Sequence, residues 1–368
     1  MKEKQHITFV VNPISGTQEK EQILNLIDEK IDIDKYTFQV EFTQYAGHAE
    51  EIASQCAEEG HFAVIAIGGD GTVNEIARAL VHTDTALGII PCGSGNGLAR
   101  HLQISMTPKK AIDVINEGLI EKIDYGLIND QKFFCTCGVG FDAFVSLKFA
   151  EAGKRGLTTY VEQSLNASLN YKPETYEVAI DGNETEIYKA FLIACGNAAQ
   201  YGNNAYIAPK ATLTDGLLDV TVLNPFIPLE VPSLALQLFT KTIDQNSHIK
   251  TFRCKSIHIH REQPGVVHFD GDPFEMGEDL DVSIVHLGLN MIVPSDEERE
   301  LNVIDRAQEV INGIWQMNDN IFKDIKQRNE LLIKDIKQRN EHIINDIKQR
   351  NNELIGKGKE QLKKLTKL

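Results

Sequence analysis

Four times within the first 120 residues, a short apolar run ends in a polar or glycine-bearing loop and passes into an amphipathic stretch. The apolar runs are 7–11, 37–42, 62–67 and 86–90; helix-like stretches at 18–30, 48–59 and 72–82 separate them, and another follows Ser94. Apolar strands alternating with amphipathic helices predict a parallel sheet covered on both faces. In such a sheet ligands bind where strands end and helices begin. Here all four strand ends carry turn-forming or polar residues: Asn12-Pro13-Ile14-Ser15-Gly16, Thr43 onward to Gly47-His48, Gly68-Gly69-Asp70-Gly71-Thr72, and Pro91-Cys92-Gly93-Ser94-Gly95-Asn96-Gly97. One edge of one sheet is therefore where function is expected.

From about residue 123 the rhythm changes to short strand-like alternations at 176–180, 186–194, 218–223, 255–260, 266–269 and 280–285, with Gly, Asn and Pro turns between them. This pattern predicts a mostly antiparallel second domain, a β-sandwich, interrupted by a helical pair near 143–171. The fold class is thus α/β: an N-terminal parallel-sheet domain over 1–123, a C-terminal antiparallel β-sandwich domain over 124–293, a return segment to the first domain over 294–320, and a helical C-terminal extension over 321–368. In that extension Asp-Ile-Lys-Gln-Arg-Asn recurs from Asp324, Asp335 and Asp346, a period of 11 residues. Such a period lays a narrow apolar seam along a long helix and suits pairing with another helix, so a homo-oligomer through the repeat is expected.

Charge divides the same way. The chain of 368 residues carries 37 Lys/Arg against 53 Asp/Glu, a net charge of −16. From Asp319 onward, however, Lys/Arg number 13 against 8 Asp/Glu. The acidic body argues against nucleic acid as a partner, whereas the basic tail allows peripheral contact with an anionic membrane. Six cysteines with no CxxC pair, no run long enough to span a bilayer and no signal-like N-terminus predict a cytoplasmic protein whose membrane contact is peripheral.

The third strand end is chemically the most specific. Three glycines let backbone approach a polyphosphate, and their N–H groups with the helix N-terminus favour its charge. Asp70 within that loop would repel phosphate unless a cation lay between them, which points to a role linked to Mg2+. The fourth loop stops short of a dinucleotide fingerprint because Leu98 stands where Gly or Ala is required, and no P-loop signature occurs anywhere.

Taken in order, Asn12-Pro13-x-Ser15-Gly16, Thr43 with Gly47-His48-Ala49, Gly68-Gly69-Asp70-Gly71-Thr72 and Pro91-x-Gly93-Ser94-x-Asn96 resemble the catalytic domain of the diacylglycerol/sphingosine/ceramide lipid kinases, and its bacterial soluble members above all. Gly138-Val139-Gly140-Phe141-Asp142, Ala208-Pro209-x-Ala211, Thr212-x-x-Asp215-Gly216-Leu217-Leu218-Asp219-Val220 and Phe269-Asp270-Gly271-Asp272 extend the resemblance to about residue 294. It implies an ATP-dependent lipid kinase that uses Mg2+. Asn12, Thr43, Gly68, Gly69, Asp70, Gly71, Thr72, Val73, Asn74 and Ser94 would hold ATP. Asp270 would be the general base and Asp70 would organise Mg2+. Asp215, with the carbonyls of Thr212 and Leu217, matches a structural Mg2+ site, and Asp124 matches a carboxylate of the Mg2+–water network. The residues themselves also allow plainer readings, a hairpin turn at Asp270-Gly271 and a simple turn at Asp215-Gly216.

Two positions depart from the bacterial diacylglycerol-kinase pattern: Gly97 stands where Asp is usual, and Asp272 where Glu is usual. Gly97 resembles the sphingosine branch, as does Asp142, placed like an acid that meets an amino-alcohol head group; Asp142 also reads as a helix cap. Lys154 and Arg155 are candidates for phosphate contact or a solvated pair. An NAD kinase shares the Gly-Gly-Asp-Gly-Thr loop, and a non-catalytic lipid-binding scaffold is the rival from another class.

Overall fold

The computed structural model describes residues 3–16, 20–152, 171–227 and 230–299. The repeat over 321–368, most of the return segment, Lys154, Arg155 and the second helix expected before residue 171 lie outside them. The parallel strands are β1 (Gln5–Val11), β2 (Tyr36–Phe42), β3 (Ala63–Gly68) and β4 (Ala86–Pro91), with the half-exposed, alternating β2 at the edge and the more apolar runs inside. All six residues of β3 and of β4 are buried. Between and after them come α1 (Lys20–Lys30), α2 (His48–Glu58), α3 (Asp70–Leu80), α4 (Gly97–His101) and α5 (Pro108–Glu117). β1 pairs in parallel with β2 and β3, and β3 with β4, as the strand–helix alternation predicts.

The chain then builds β5 (Ile120–Ile128), β6 (Gln131–Phe133), β7 (Thr136–Gly140), α6 (Phe141–Ala152), β8 (Glu174–Ile180), β9 (Glu186–Ala190), β10 (Leu192–Gly196), β11 (Leu218–Leu223), α7 (Val231–Phe239), β12 (Ile249–Cys254), β13 (Ser256–Arg261), β14 (Gly265–Phe269), β15 (Asp272–Met276) and β16 (Asp279–Ile292). A six-stranded antiparallel sheet of order β12-β11-β10-β7-β14-β15 faces the antiparallel half of the larger sheet. Cys137, Val139, Ile193, Val220 and Val267 from the first meet Tyr176, Val178, Ile257 and Leu280 from the second in one core.

Two details differ from the sequence reading. The run 186–194 reads as one strand, but it breaks at Phe191, with β9 in the large sheet and β10 in the small one. Tyr188 and Ala190 face the sandwich core before the break, Ile193 and Cys195 after it, so the inward parity flips at Phe191. The expected strand at 280–285 is the first part of the 14-residue β16. β16 pairs with β13 at its start and with β5 along its length, and at Met291 it pairs in parallel with Leu87 of β4. The chain thus rejoins the parallel sheet before residue 293, because Leu289, Met291, Ile292 and Val293 belong to the core of that sheet. A bulge between Val285 and Leu289 breaks the ladder, with Leu287 at φ 52°.

Candidate active site

The loops after β1, β3 and β4 close into one layer. Asn12 Nδ2 donates to Thr72 Oγ1 at 3.1 Å, tying the first loop to the first turn of α3. Gly16 sits at φ 67°, and a Cβ there would lie 1.7 Å from the Cys92 carbonyl oxygen. A Cβ on Gly93 would lie 2.6 Å from Gly69 Cα. Only glycine allows these backbones so close. α3 begins at Asp70 rather than near Val73, because Gly69 is its N-cap and the glycine-rich loop is its first turn. The N–H groups of that first turn open on the same edge. Thr43 is half-buried at the end of β2, its N–H donating to the Val11 carbonyl at 2.9 Å, and Ser94 is exposed on the lip. Val73 and Asn74 are buried, their side chains behind the loop rather than on its surface.

Asp70 is tied to the fourth loop: its carboxylate accepts the N–H of Asn96 at 2.8 Å and of Gly97 at 2.6 Å. Burial pushes this carboxyl up, against those two hydrogen bonds. Asp270 occupies the two-residue turn between β14 and β15, at φ 51° with Gly271 at φ 90°. Its carboxylate accepts the N–H groups of Phe134 at 2.7 Å, Cys135 at 2.7 Å and Thr136 at 3.0 Å. Burial still raises it to about 6, and the negative charge of Asp70 adds to the rise. Cys135 feels both carboxylates, which with burial push its thiol well up. Asp70 and Asp270, 200 positions apart, are thus near enough for their charges to act on each other and on Cys135. A Cβ on Gly97 would lie 3.3 Å from Cys135 Sγ, so the position that departs from the diacylglycerol-kinase pattern is already tightly surrounded.

The proposed metal residues also come together, but not as a set of open ligands. Asp124, 0% exposed, accepts the N–H groups of Gly216 at 2.7 Å and Leu287 at 2.7 Å, and lies 2.8 Å from His286 Nδ1. Its own N–H donates to the Leu213 carbonyl at 2.7 Å. Asp215 accepts the Leu217 N–H at 3.1 Å and is paired with Arg253, which also reaches Asp219 Oδ2 at 3.2 Å. Although burial works the other way, hydrogen bonds from Thr212 and Arg253 hold the Asp215 carboxyl below its usual range. A guanidinium on the loop's carboxylate opposes a second cation there, so Thr212, Asp215 and Leu217 do not fit Mg2+ in this arrangement. Among the described residues no three His, Cys, Asp or Glu side chains are placed to hold a metal ion.

The sequence reading singled out neither Asn197 nor the partners of Asp142. Asn197 Nδ2 donates to the carbonyls of Asp124 at 3.0 Å and Phe134 at 2.7 Å, which helps hold the segment that hydrogen-bonds Asp270. A signal was present: Gly196-Asn197 ends an apolar strand, as the nucleotide-edge loops do. Asp142 is buried against Tyr201 and His268. His258 and His260 pair with Asp281 and Asp279 at the surface, each at 2.8 Å.

Comparison with known proteins agrees with this geometry. The diacylglycerol kinase catalytic domain family matches residues 6–128, and the YegS C-terminal NAD kinase beta sandwich-like domain matches 135–285. The chain is 30% identical over 302 residues to a protein named diacylglycerol kinase from Mycobacterium tuberculosis, covering 78% of this chain and 95% of that one. It is 26% identical over 305 residues to a diacylglycerol kinase from Bacillus subtilis, covering 80% and 98%. A crystal structure of a diacylglycerol kinase from Bacillus anthracis str. Sterne shares the fold with a TM-score of 0.62, at 20% identity over 80% of this chain and 98% of that one. The class is that of a kinase. Within it, the chain belongs to the diacylglycerol kinase family of lipid kinases.

Proposed function

We propose that this protein transfers the γ-phosphoryl group of ATP to a hydroxyl of a membrane-derived lipid, with Asp270 as the base. The carrying observation is the Asp270 carboxylate, raised to about 6 beside Asp70 and held by three backbone N–H groups at the mouth of a glycine-lined loop layer. In the reaction the lipid O–H proton passes to Asp270, the oxygen forms its bond to the γ-phosphorus, and the bond to the bridging oxygen breaks to release ADP. Asn12, Thr43, Gly68, Gly69, Gly71, Thr72 and Ser94 surround the phosphate side, while Val73 and Asn74 support it from behind. Mg2+ bound to the nucleotide would neutralise charge on the transferred group, and Asp70 is the carboxylate nearest that role. A base tuned near the working pH suits an alcohol nucleophile, whose attack depends on alignment and proton removal.

The acceptor proposed is a sphingoid base or related amino-alcohol lipid ahead of diacylglycerol. Gly97 in place of the diacylglycerol-kinase Asp supports this reading. Peripheral contact with a membrane is supported by α7 and the loop before it, where Ile227 is 57% and Leu236 45% exposed. Among the described residues no helix is long and apolar enough to cross a membrane. The test is a screen of the purified full chain with labelled ATP against a sphingoid base, ceramide, diacylglycerol and undecaprenol in mixed micelles. Label should enter a lipid product; no label in any lipid, with label in NAD when NAD is offered in a parallel reaction, would overturn the proposal.

A further inference from the structure

β14 carries a second polar side chain two residues before Asp270. His268 is 1% exposed, and its Nε2 lies 3.0 Å from Asp142 Oδ2. Asp142 is 4% exposed and also accepts the Tyr201 hydroxyl at 3.1 Å and the Ala143 N–H at 2.8 Å. Gly138, paired with His268 across the ladder, makes room for the contact: a Cβ there would lie 2.4 Å from Asp142 Oδ2 and 3.1 Å from His268 Nε2. With Asp142 as the carboxylate and the imidazole neutral, Nε2 carries the hydrogen of this contact and Nδ1 presents a lone pair. That Nδ1 is buried and has no hydrogen-bond partner among the described residues. A buried acceptor left in this state calls for a donor that the described residues do not supply.

The surroundings say what kind of donor. Tyr201 connects the cluster to the nucleotide edge: a Cβ on Gly97 would lie 3.5 Å from its carbonyl oxygen, and Gly202 packs against Gly95. Tyr201 packs in the same apolar cluster as the rings of Phe141, Tyr171 and Phe191, with Phe141 and Phe191 centroids 4.5 Å apart. His268, its ring centroid 5.8 Å from that of Tyr201 and two residues from Asp270 in the chain, thus links the turn of Asp270 to aromatic surroundings suited to an apolar acceptor. We infer that His268 Nδ1 accepts a hydrogen bond from a second N–H or O–H of the acceptor, next to the hydroxyl that Asp270 deprotonates. Asp142 and Tyr201 are positioning residues that fix the tautomer. The inference rests on the lipid-kinase reading and narrows it. Lipids with an amine, an amide N–H or a second hydroxyl satisfy Nδ1; a diacylglycerol has one hydroxyl and only ester carbonyls besides.

The experiment measures kcat/KM of the full chain for a sphingoid base, a monoacylglycerol and a diacylglycerol, with and without His268→Gln. Glutamine keeps an amide donor near the position of Nε2 and removes the Nδ1 acceptor. The natural chain should prefer the two donor-bearing lipids, and the substitution should lower that preference about tenfold, the worth of one neutral hydrogen bond. Tyr201→Phe should lower it less. An equal loss on all three lipids, an unchanged preference, or a natural chain that favours diacylglycerol each overturns the inference; the last needs no variant to fold. Failure to label any lipid would defeat the lipid-kinase reading instead, and so stands apart.

Discussion

Asp270 serves two demands with one residue. An Asp-Gly pair with both φ values positive is the turn that a two-residue hairpin requires, and the same backbone aims the carboxylate at three N–H donors. The plain-turn reading is true of the geometry, and the same turn would place the proposed base. Since a base must be unprotonated to take a proton, kcat/KM should fall as pH drops through about 6, by about tenfold per unit below that point. Asp270→Asn should lower kcat by about 100-fold or more in a chain that still folds, though its amide nitrogen now faces an N–H donor and the thermal midpoint should drop somewhat. Near-normal turnover in that variant, measured at pH 8, would remove the base assignment. At this scale Asp70 and Asp270 are legible because each lies in a short motif of fixed spacing. The Asp142–His268 pair joins residues 126 positions apart across a ladder, and a single sequence holds no sign of that pairing.

Among the elements, the loop layer is the least tolerant part. Gly69 and Gly93 meet backbone to backbone, so neither can yield, whereas Gly97 meets a cysteine side chain and needs only a few tenths of an ångström. Gly93→Ala should raise KM for ATP about tenfold or more, since an ångström of misplacement has effects of that order. Gly97→Ala should raise it less. Titration with a fluorescent ATP analogue would separate the two, and equal effects would mean that the loops are not held by this contact. The strands and helices of the parallel sheet were legible from periodicity alone. The break at Phe191 was not, because no turn residue marks it and from Ala190 to Ala194 the run is apolar on both faces, where parity cannot be read.

Across the whole molecule, Asp124 clasps three stretches of chain. Its carboxylate faces Gly216, His286 and Leu287, which lie more than 90 positions away. Asp124→Ala would leave buried donors without a partner and should cost about 3 kcal/mol or more in urea unfolding. The loss should be the same with EDTA as with excess Mg2+. A loss that vanished in EDTA would restore the metal reading for this carboxylate. Asp124 and the 212–217 loop, which the resemblance groups together, do meet through the Gly216 N–H, but Arg253, which pairs with Asp215, sits in a strand that the sequence reading did not identify.

β16 also bears on the order in which the protein can be made. β4 and β5 are finished early in synthesis, yet each takes a partner from β16, whose last residues come about 200 and 170 positions later. While the ribosome works through that interval, the apolar edge of β4 and the length of β5 remain without their final neighbour. Unpaired strand edges are where nascent chains associate wrongly. The parallel-sheet half is thus completed by β16, the last described strand, and the chain cannot mature one half at a time.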